Sequence, residues 1–147
     1  MSKPILCLDF DGVVHKYTSP WVETEIIPDD VTDGFFEWAE QAAQYFTLVI
    51  YSSRSKSEKG IEAMQFWLYE QRKKWRARGG KHTIEVPLSF EFSNEKPAAF
   101  LTVDDRAVQF NGNWSELNPA KLCSFKPWNA QQRKAAEEIN ATTTSVS

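Results

Sequence analysis

The chain has 147 residues, 41% hydrophobic and 25% charged, with a net charge of −3 and a pI near 5.4. These figures suit one soluble globular domain and argue against an intrinsically disordered chain or a strongly basic nucleic-acid binder. Two cysteines, Cys7 and Cys123, do not make a disulfide framework. No stretch reaches the roughly 20 apolar residues a membrane span needs, and Asp9 and Asp11 interrupt the N-terminal apolar run before it can act as a leader. A cytoplasmic location is the expectation.

Ile5-Leu6-Cys7-Leu8 is a continuous apolar run, as in a strand buried on both faces. It leads into Asp9-Phe10-Asp11-Gly12. Alternate residues of an extended chain point the same way, so both carboxylates can face one crevice, and Gly12 permits the turn. Like charges so close call for a proton, a cation or a cationic side chain. From His15 to Pro28 the chain reads as a flap, with Tyr17 and Trp21 either pinning it or lining a pocket. His15 is either a titrating group near the site or a bystander.

Asp29-Asp30-Val31-Thr32-Asp33 predicts a helix start, with Phe35, Trp38, Ala39, Ala42 and Phe46 at helical spacing. Thr47–Tyr51 predicts a second buried strand that ends in Ser52-Ser53-Arg54. Ser55 and Glu58 form a predicted capping box for a helix carrying Ile61, Met64, Leu68 and Trp75 on one stripe and stopping at Gly79-Gly80. Its last turns hold Arg72, Lys73, Lys74, Arg76 and Arg78, with Lys81 beyond. That cluster is either a phosphate-backbone patch or a solvated helix end whose cations suit the dipole. Ile84–Leu88 reads as an edge strand confined by Pro87, and Ser93–Pro97 as a turn carrying Lys96. Phe100–Val103 predicts a buried strand running into Asp104-Asp105-Arg106, and Lys121–Phe125 a last short strand. A short helix is expected around Ala130–Ile139, and a disordered tail over 141–147.

Alternating strands and helices predict an α/β domain with a mainly parallel sheet, spanning residues 1–140. In such sheets the ligand crevice lies beyond the carboxyl ends of the strands. Asp9, Asp11, Ser52, Asp104 and Asp105 all fall at such ends, with Lys96 in the loop before the Asp104 strand. A crevice of carboxylates with no Cys/His cluster suits Mg²⁺ rather than zinc.

Asp9-Phe10-Asp11-Gly12-Val13, Val49-Ile50-Tyr51-Ser52, Lys96-Pro97 and Val103-Asp104-Asp105, in that order, resemble the four motifs of the haloacid dehalogenase superfamily of phosphohydrolases. The resemblance spans roughly residues 4–125. It implies a Rossmann-like three-layer sandwich with strand order 5-4-1-2-3. It further implies Asp9 as the nucleophile that becomes phosphorylated, Asp11 as general acid and base, Ser52 as a phosphoryl contact and Lys96 as the charge-offsetting cation. Asp9, Asp104 and the Asp11 carbonyl would hold Mg²⁺ with Asp105 in support. Asp11 marks the phosphatases of the superfamily. Only about 40 residues separate Asp11 from Ser52, which leaves no room for a large cap domain. Ser53, Arg54 and Arg106 are candidate substrate-binding residues.

The expected activity is Mg²⁺-dependent hydrolysis of a phosphomonoester, with macromolecular substrates admitted by an open site or a partner subunit closing it. The alternatives are a nucleic acid end phosphatase using the Arg72–Lys81 patch with Tyr17 or Trp21, which the acidic pI disfavours, and an idle metal-binding module of the same fold. A response-regulator receiver is excluded by the order of its acidic, hydroxyl and lysine positions.

Overall fold

The computed structural model describes residues 2–83 and 87–146, with side chains described through residue 139 of the last helix. Strand β1 (Ile5–Leu8) lies at the centre of a four-stranded parallel sheet. On one side it pairs with β2 (Thr47–Ile50), and β2 with the short β3 (Glu91–Phe92). On its other side it pairs with β4 (Leu101–Val103), giving the order β3-β2-β1-β4. The register sets Leu6 opposite Leu48 and Leu8 opposite Ile50. These four residues point to one face, where they share a buried cluster with Phe35, Phe36 and Ala39 of α1 (Phe35–Ala42) and Met64, Trp67 and Leu68 of α2 (Glu58–Ala77). The Phe36 and Trp75 rings, 5.3 Å apart, and the Trp75 indole donating to Glu37 at 2.7 Å hold the two helices together. A parallel sheet packed with helices makes an α/β architecture, compatible with a Rossmann-like fold. The cluster spans two layers, the sheet and the α1–α2 pair; the expected third layer takes no part in it.

The helix starts differ from expectation for identifiable reasons. The Asp29–Asp33 acids do not cap α1, which follows Gly34 in the left-handed region with no side-chain cap. Asp29 instead accepts from the Thr18 and Ser19 amides and the Ser19 hydroxyl, Asp30 accepts from Gln71, and Asp33 pairs with Lys16. The capping box is shifted three residues upstream. Ser52 and Ser55 cap a 3₁₀ turn over Ser53–Lys56 reciprocally, and Ser57 caps α2 by accepting from the Gly60 amide.

The predicted fifth strand at Lys121–Phe125 is absent. Asn118 accepts from the Ala120 amide and Pro119 occupies the first position of a short helix, α3 (Pro119–Leu122). This cap and proline combination starts a helix. Strand β4 is therefore the sheet edge, and Leu101, Thr102 and Val103 are exposed rather than buried. Of the predicted edge strand at 84–88, residues 84–86 lie outside the described residues, and Pro87 and Leu88 are not in a strand. The final helix, α4 (Ala130–Val146), continues well past Ile139 through most of the stretch predicted as a disordered tail. Both cysteines are free, Cys7 buried and Cys123 exposed. Among the described residues no helix is long and apolar enough to cross a membrane.

Candidate active site

Three backbone hydrogen bonds gather the strand ends. The Asp9 amide donates to the Val103 carbonyl at 3.0 Å, the Tyr51 amide to the Leu8 carbonyl at 3.1 Å, and the Ser93 amide to the Ile50 carbonyl at 3.0 Å. They bring the residues that follow β1, β2 and β3, and the last residue of β4, to one end of the sheet. A cavity of about 420 Å³ opens there, lined by Asp9, Ser52, Ser53, Lys96 and Asp104 together with Cys7 and Thr102. Residues from four separated sequence segments thus face one small space.

Carboxylate oxygens of Asp9, Asp104 and Asp105 all lie within 4.8 Å of one another. Burial, the Asp104 charge and the Asp105 carboxylate raise the Asp9 pKa to about 7. Burial chiefly raises the Asp105 pKa as well, with its carboxylate lying against that of Asp9, and among the described residues no donor meets either of its buried oxygens. An all-oxygen set with orphaned, crowded carboxylate atoms fits a hard divalent cation such as Mg²⁺. Gly12 is part of this arrangement. Its φ is +84°, and a Cβ there would stand 2.1 Å from Asp105 Oδ2, so glycine is needed both for the turn and for the approach of Asp105. The Asp104 carboxylate accepts from the Arg106 backbone amide at 2.8 Å.

Asp11 is set apart from these carboxylates. The chain turns back after Phe10, whose carbonyl accepts from the amides of Val13, Val14 and His15. That turn seats the His15 ring, fully buried, against Asp11 Oδ1 at 2.9 Å. The Asp29 amide donates to His15 Nε2 at 3.1 Å, so Nδ1 carries the hydrogen and donates to Asp11. Arg54 Nε donates to both Asp11 oxygens at 3.1 and 3.0 Å. Burial pushes the Asp11 carboxyl up, but the bonds from His15 and Arg54, with the Arg54 charge, outweigh it and hold the pKa below the ordinary value. The Asp11 carboxylate belongs to neither the acidic group nor the small cavity.

Arg54 is not a free phosphate ligand. It is 1% exposed, and its Nη1 donates to the Glu23, Thr24 and Ile26 carbonyls at 3.3, 2.6 and 3.1 Å. Its guanidinium also lies 4.4 Å from the Trp21 ring centroid. It therefore ties the flap to Asp11. Arg106 is exposed, lines neither this cavity nor the larger one beside it, and acts on Asp105 through its charge. Tyr17 is held between His15 and Arg133. In the basic cluster, Arg72 donates to the Leu88 carbonyl and lies over Phe36 and Phe90, Lys73 pairs with Glu70, and Lys74 with Asp30. None of its members lines either cavity.

On the other side of Asp104 and Asp105 lies a larger cavity of about 1140 Å³, walled in part by α4 and by Trp128, two residues before it. Sequence reasoning missed this wall. The Trp128 indole donates to the Gly12 carbonyl at 2.7 Å. Asn129, fully buried, donates to the Lys16 and Tyr17 carbonyls at 2.7 and 3.0 Å and accepts from Arg133 at 3.2 Å. Trp128-Asn129 just before a helical stretch was the available signal, but its partners lie more than 110 positions upstream.

No known family, curated protein or solved structure matches the chain.

Proposed function

We propose that the protein is a Mg²⁺-dependent phosphatase that hydrolyses a phosphomonoester through a phosphorylated Asp9, as its resemblance to the haloacid dehalogenase superfamily implies. The observation that carries this reading is the small cavity in which Asp9, Ser52, Lys96 and Asp104 meet. The observed β3-β2-β1-β4 order is compatible with strands 3, 2, 1 and 4 of the 5-4-1-2-3 sheet of that superfamily, without its strand 5.

Asp9, Asp104 and Asp105 would hold the cation, which when bound supplies charge neutralisation that lets a carboxylate approach a phosphate dianion. Lys96 adds a second positive charge at the cavity. With a cation held there, its charge would offset the crowding that raises the Asp9 pKa to about 7, and Asp9 would be ionised, the form a nucleophile needs. An Asp9 oxygen attacks phosphorus and the bond from phosphorus to the alcohol oxygen breaks. Water then attacks the same phosphorus, loses its proton to a base, and releases phosphate and free Asp9. The Ser52 hydroxyl, which accepts from the Arg54 amide, keeps its own hydrogen for a phosphoryl oxygen. Asp11, held ionised between His15 and Arg54, has the charge state the base of the second step needs, but it lies outside the small cavity and would have to turn from those partners to reach water at Asp9. To act as the acid of the first step it must take up a proton against the hold of those two residues.

An aryl phosphate whose phenolate leaves without a proton avoids that requirement and is the substrate for the test. The native protein should hydrolyse it with Mg²⁺ and lose activity in excess EDTA. Undiminished activity in EDTA, or none with Mg²⁺, would count against the reading.

A further inference from the structure

We infer that the larger cavity beside Asp104 is the binding site for the alcohol part of the substrate, and that it selects a monophosphate ester whose body is an uncharged, flat ring system. This rests on the phosphatase reading for the phosphate itself, and on the cavity alone for the body. Asp104 lines both the small cavity with Asp9 and the large one, so its carboxylate is a wall common to the two spaces. An ester whose phosphate is seated at Asp9 has the larger space just past that wall for the rest of its body.

The chemistry of that space is one-sided. Its apolar wall is built from Val13, Val103, Trp128, Ala135, Ala136 and Ile139. Trp128 is 59% exposed even though its indole nitrogen is bound to Gly12, so its position is fixed while much of the ring surface stays uncovered. A tethered indole is a stacking surface for a flat ring. The charged residues of the lining are Asp33, Asp104, Asp105 and Lys16, and the lysine is already paired with Asp33 at 3.2 Å. Beyond the cation-binding end, a second or third phosphate would meet carboxylates and no unpaired cation among these lining residues. A nucleic acid end is disfavoured for the same reason, and the basic cluster of α2 lies outside the cavity.

The wall is anchored well enough to be selective. Asn129 and Trp128 fasten the start of α4 to the turn after β1, and Arg133 covers Tyr17 at 4.3 Å. Ala135 and Ala136 present small side chains to the cavity, so bulk added there fills space without displacing the core.

Adenosine 5′-monophosphate and ribose 5-phosphate release the same kind of primary alkoxide and differ at the anomeric carbon, which bears the flat base in one and a hydroxyl in the other, so their kcat/KM ratio isolates the cavity. With Mg²⁺ the native protein should favour the nucleotide by at least about tenfold, as stacking of one base on an aromatic side chain provides. In Ala136→Trp, shown to be folded by an unchanged thermal midpoint, that ratio should fall toward one. Calorimetry with adenosine alone, which needs no catalysis, should show binding to the native protein and none to Ala136→Trp. Equal kcat/KM for the two esters together with no adenosine binding would overturn the inference. So would a preference for a 5′-phosphorylated oligonucleotide over the mononucleotide. Hydrolysis of neither ester, with adenosine binding that Ala136→Trp abolishes, would overturn the phosphatase reading and leave the cavity assignment standing.

Discussion

Replacing Arg54 by Met keeps most of its volume and removes its charge. The native guanidinium makes two charge-assisted bonds to Asp11 and three to carbonyls of the flap, all from a side chain 1% exposed. Removing one partner of a buried ion pair typically costs about 3–5 kcal/mol, because the remaining charge stays behind unpaired. His15 still donates to Asp11 in the variant, which favours the lower end, about 3 kcal/mol. Urea unfolding at pH 7 measures this as a lower midpoint with an unchanged slope. Arg54→Lys should recover only part, since an ammonium cannot span Asp11 and three carbonyls together. The loss should also depend on pH. Asp11 has a depressed pKa in the fold, so its contribution is present above the ordinary value of 3.8 and fades as pH falls below it. The gap between native and Arg54→Met should therefore narrow below about pH 4. A Glu-specific protease should nick the variant at Glu23 or Glu25 faster, because the flap has lost its tie. A loss under about 1 kcal/mol, or full restoration by Lys, would refute the reasoning.

Asp9→Asn should change the pH profile of stability in EDTA. The Asp9 pKa is raised from 3.8 to about 7 in the fold, so the folded native protein binds the extra proton and loses stability as pH rises from about 4 to 7. Discounted for carboxylates open to the cavity and shared among three groups, the variant should gain ~1–2 kcal/mol over native at pH 8 and nothing at pH 4. Parallel profiles would refute it. Millimolar Mg²⁺ should raise the thermal midpoint of the native protein and not of Asp104→Asn, as binding to the folded state alone requires; equal shifts would remove Asp104 from the cation site. Gly12→Ala should destabilise by more than ~1 kcal/mol from backbone strain alone. Because its Cβ meets Asp105 Oδ2, it should also weaken the Mg²⁺ shift, and an intact shift would contradict the contact.

The parts of the fold readable in the sequence were those set by local pattern. The Ile5–Leu8 and Thr47–Ile50 runs are apolar on both faces, and they form adjacent parallel strands. Asp9, Ser52 and Asp104 were legible for the same reason, because strand ends in such a sheet face one crevice and polar residues mark those ends. Lys96 was found only by its spacing to the other motifs. What escaped were pairings between distant positions. Arg54 stands two residues after Ser52 and looked like a substrate ligand, yet its partner is Asp11, 43 positions away. His15 read as a loop residue because only the turn after Phe10 folds it under Asp11. The acids before α1 looked like caps, and tertiary partners on the flap, α2 and Lys16 claimed them instead. At Lys121–Phe125 the apolar pattern suggested a strand, but Asn118-Pro119 had already started a helix. The wall formed by Trp128 and α4 depends on contacts across more than 110 positions, which no local window registers.

The proposed phosphatase stands or falls on whether Asp9 carries the phosphoryl group during turnover. The most direct measurement is rapid acid quenching of the protein during hydrolysis of an aryl phosphate with Mg²⁺, followed by mass spectrometry of the peptide that contains Asp9. The account predicts a phosphoryl adduct on Asp9 that appears only with Mg²⁺ and substrate, is cleaved by hydroxylamine as an acyl phosphate, and is missing from a folded, inactive Asp9→Asn protein. Steady hydrolysis by the native protein with no adduct at any quench time, or near-native turnover by Asp9→Asn, would contradict it.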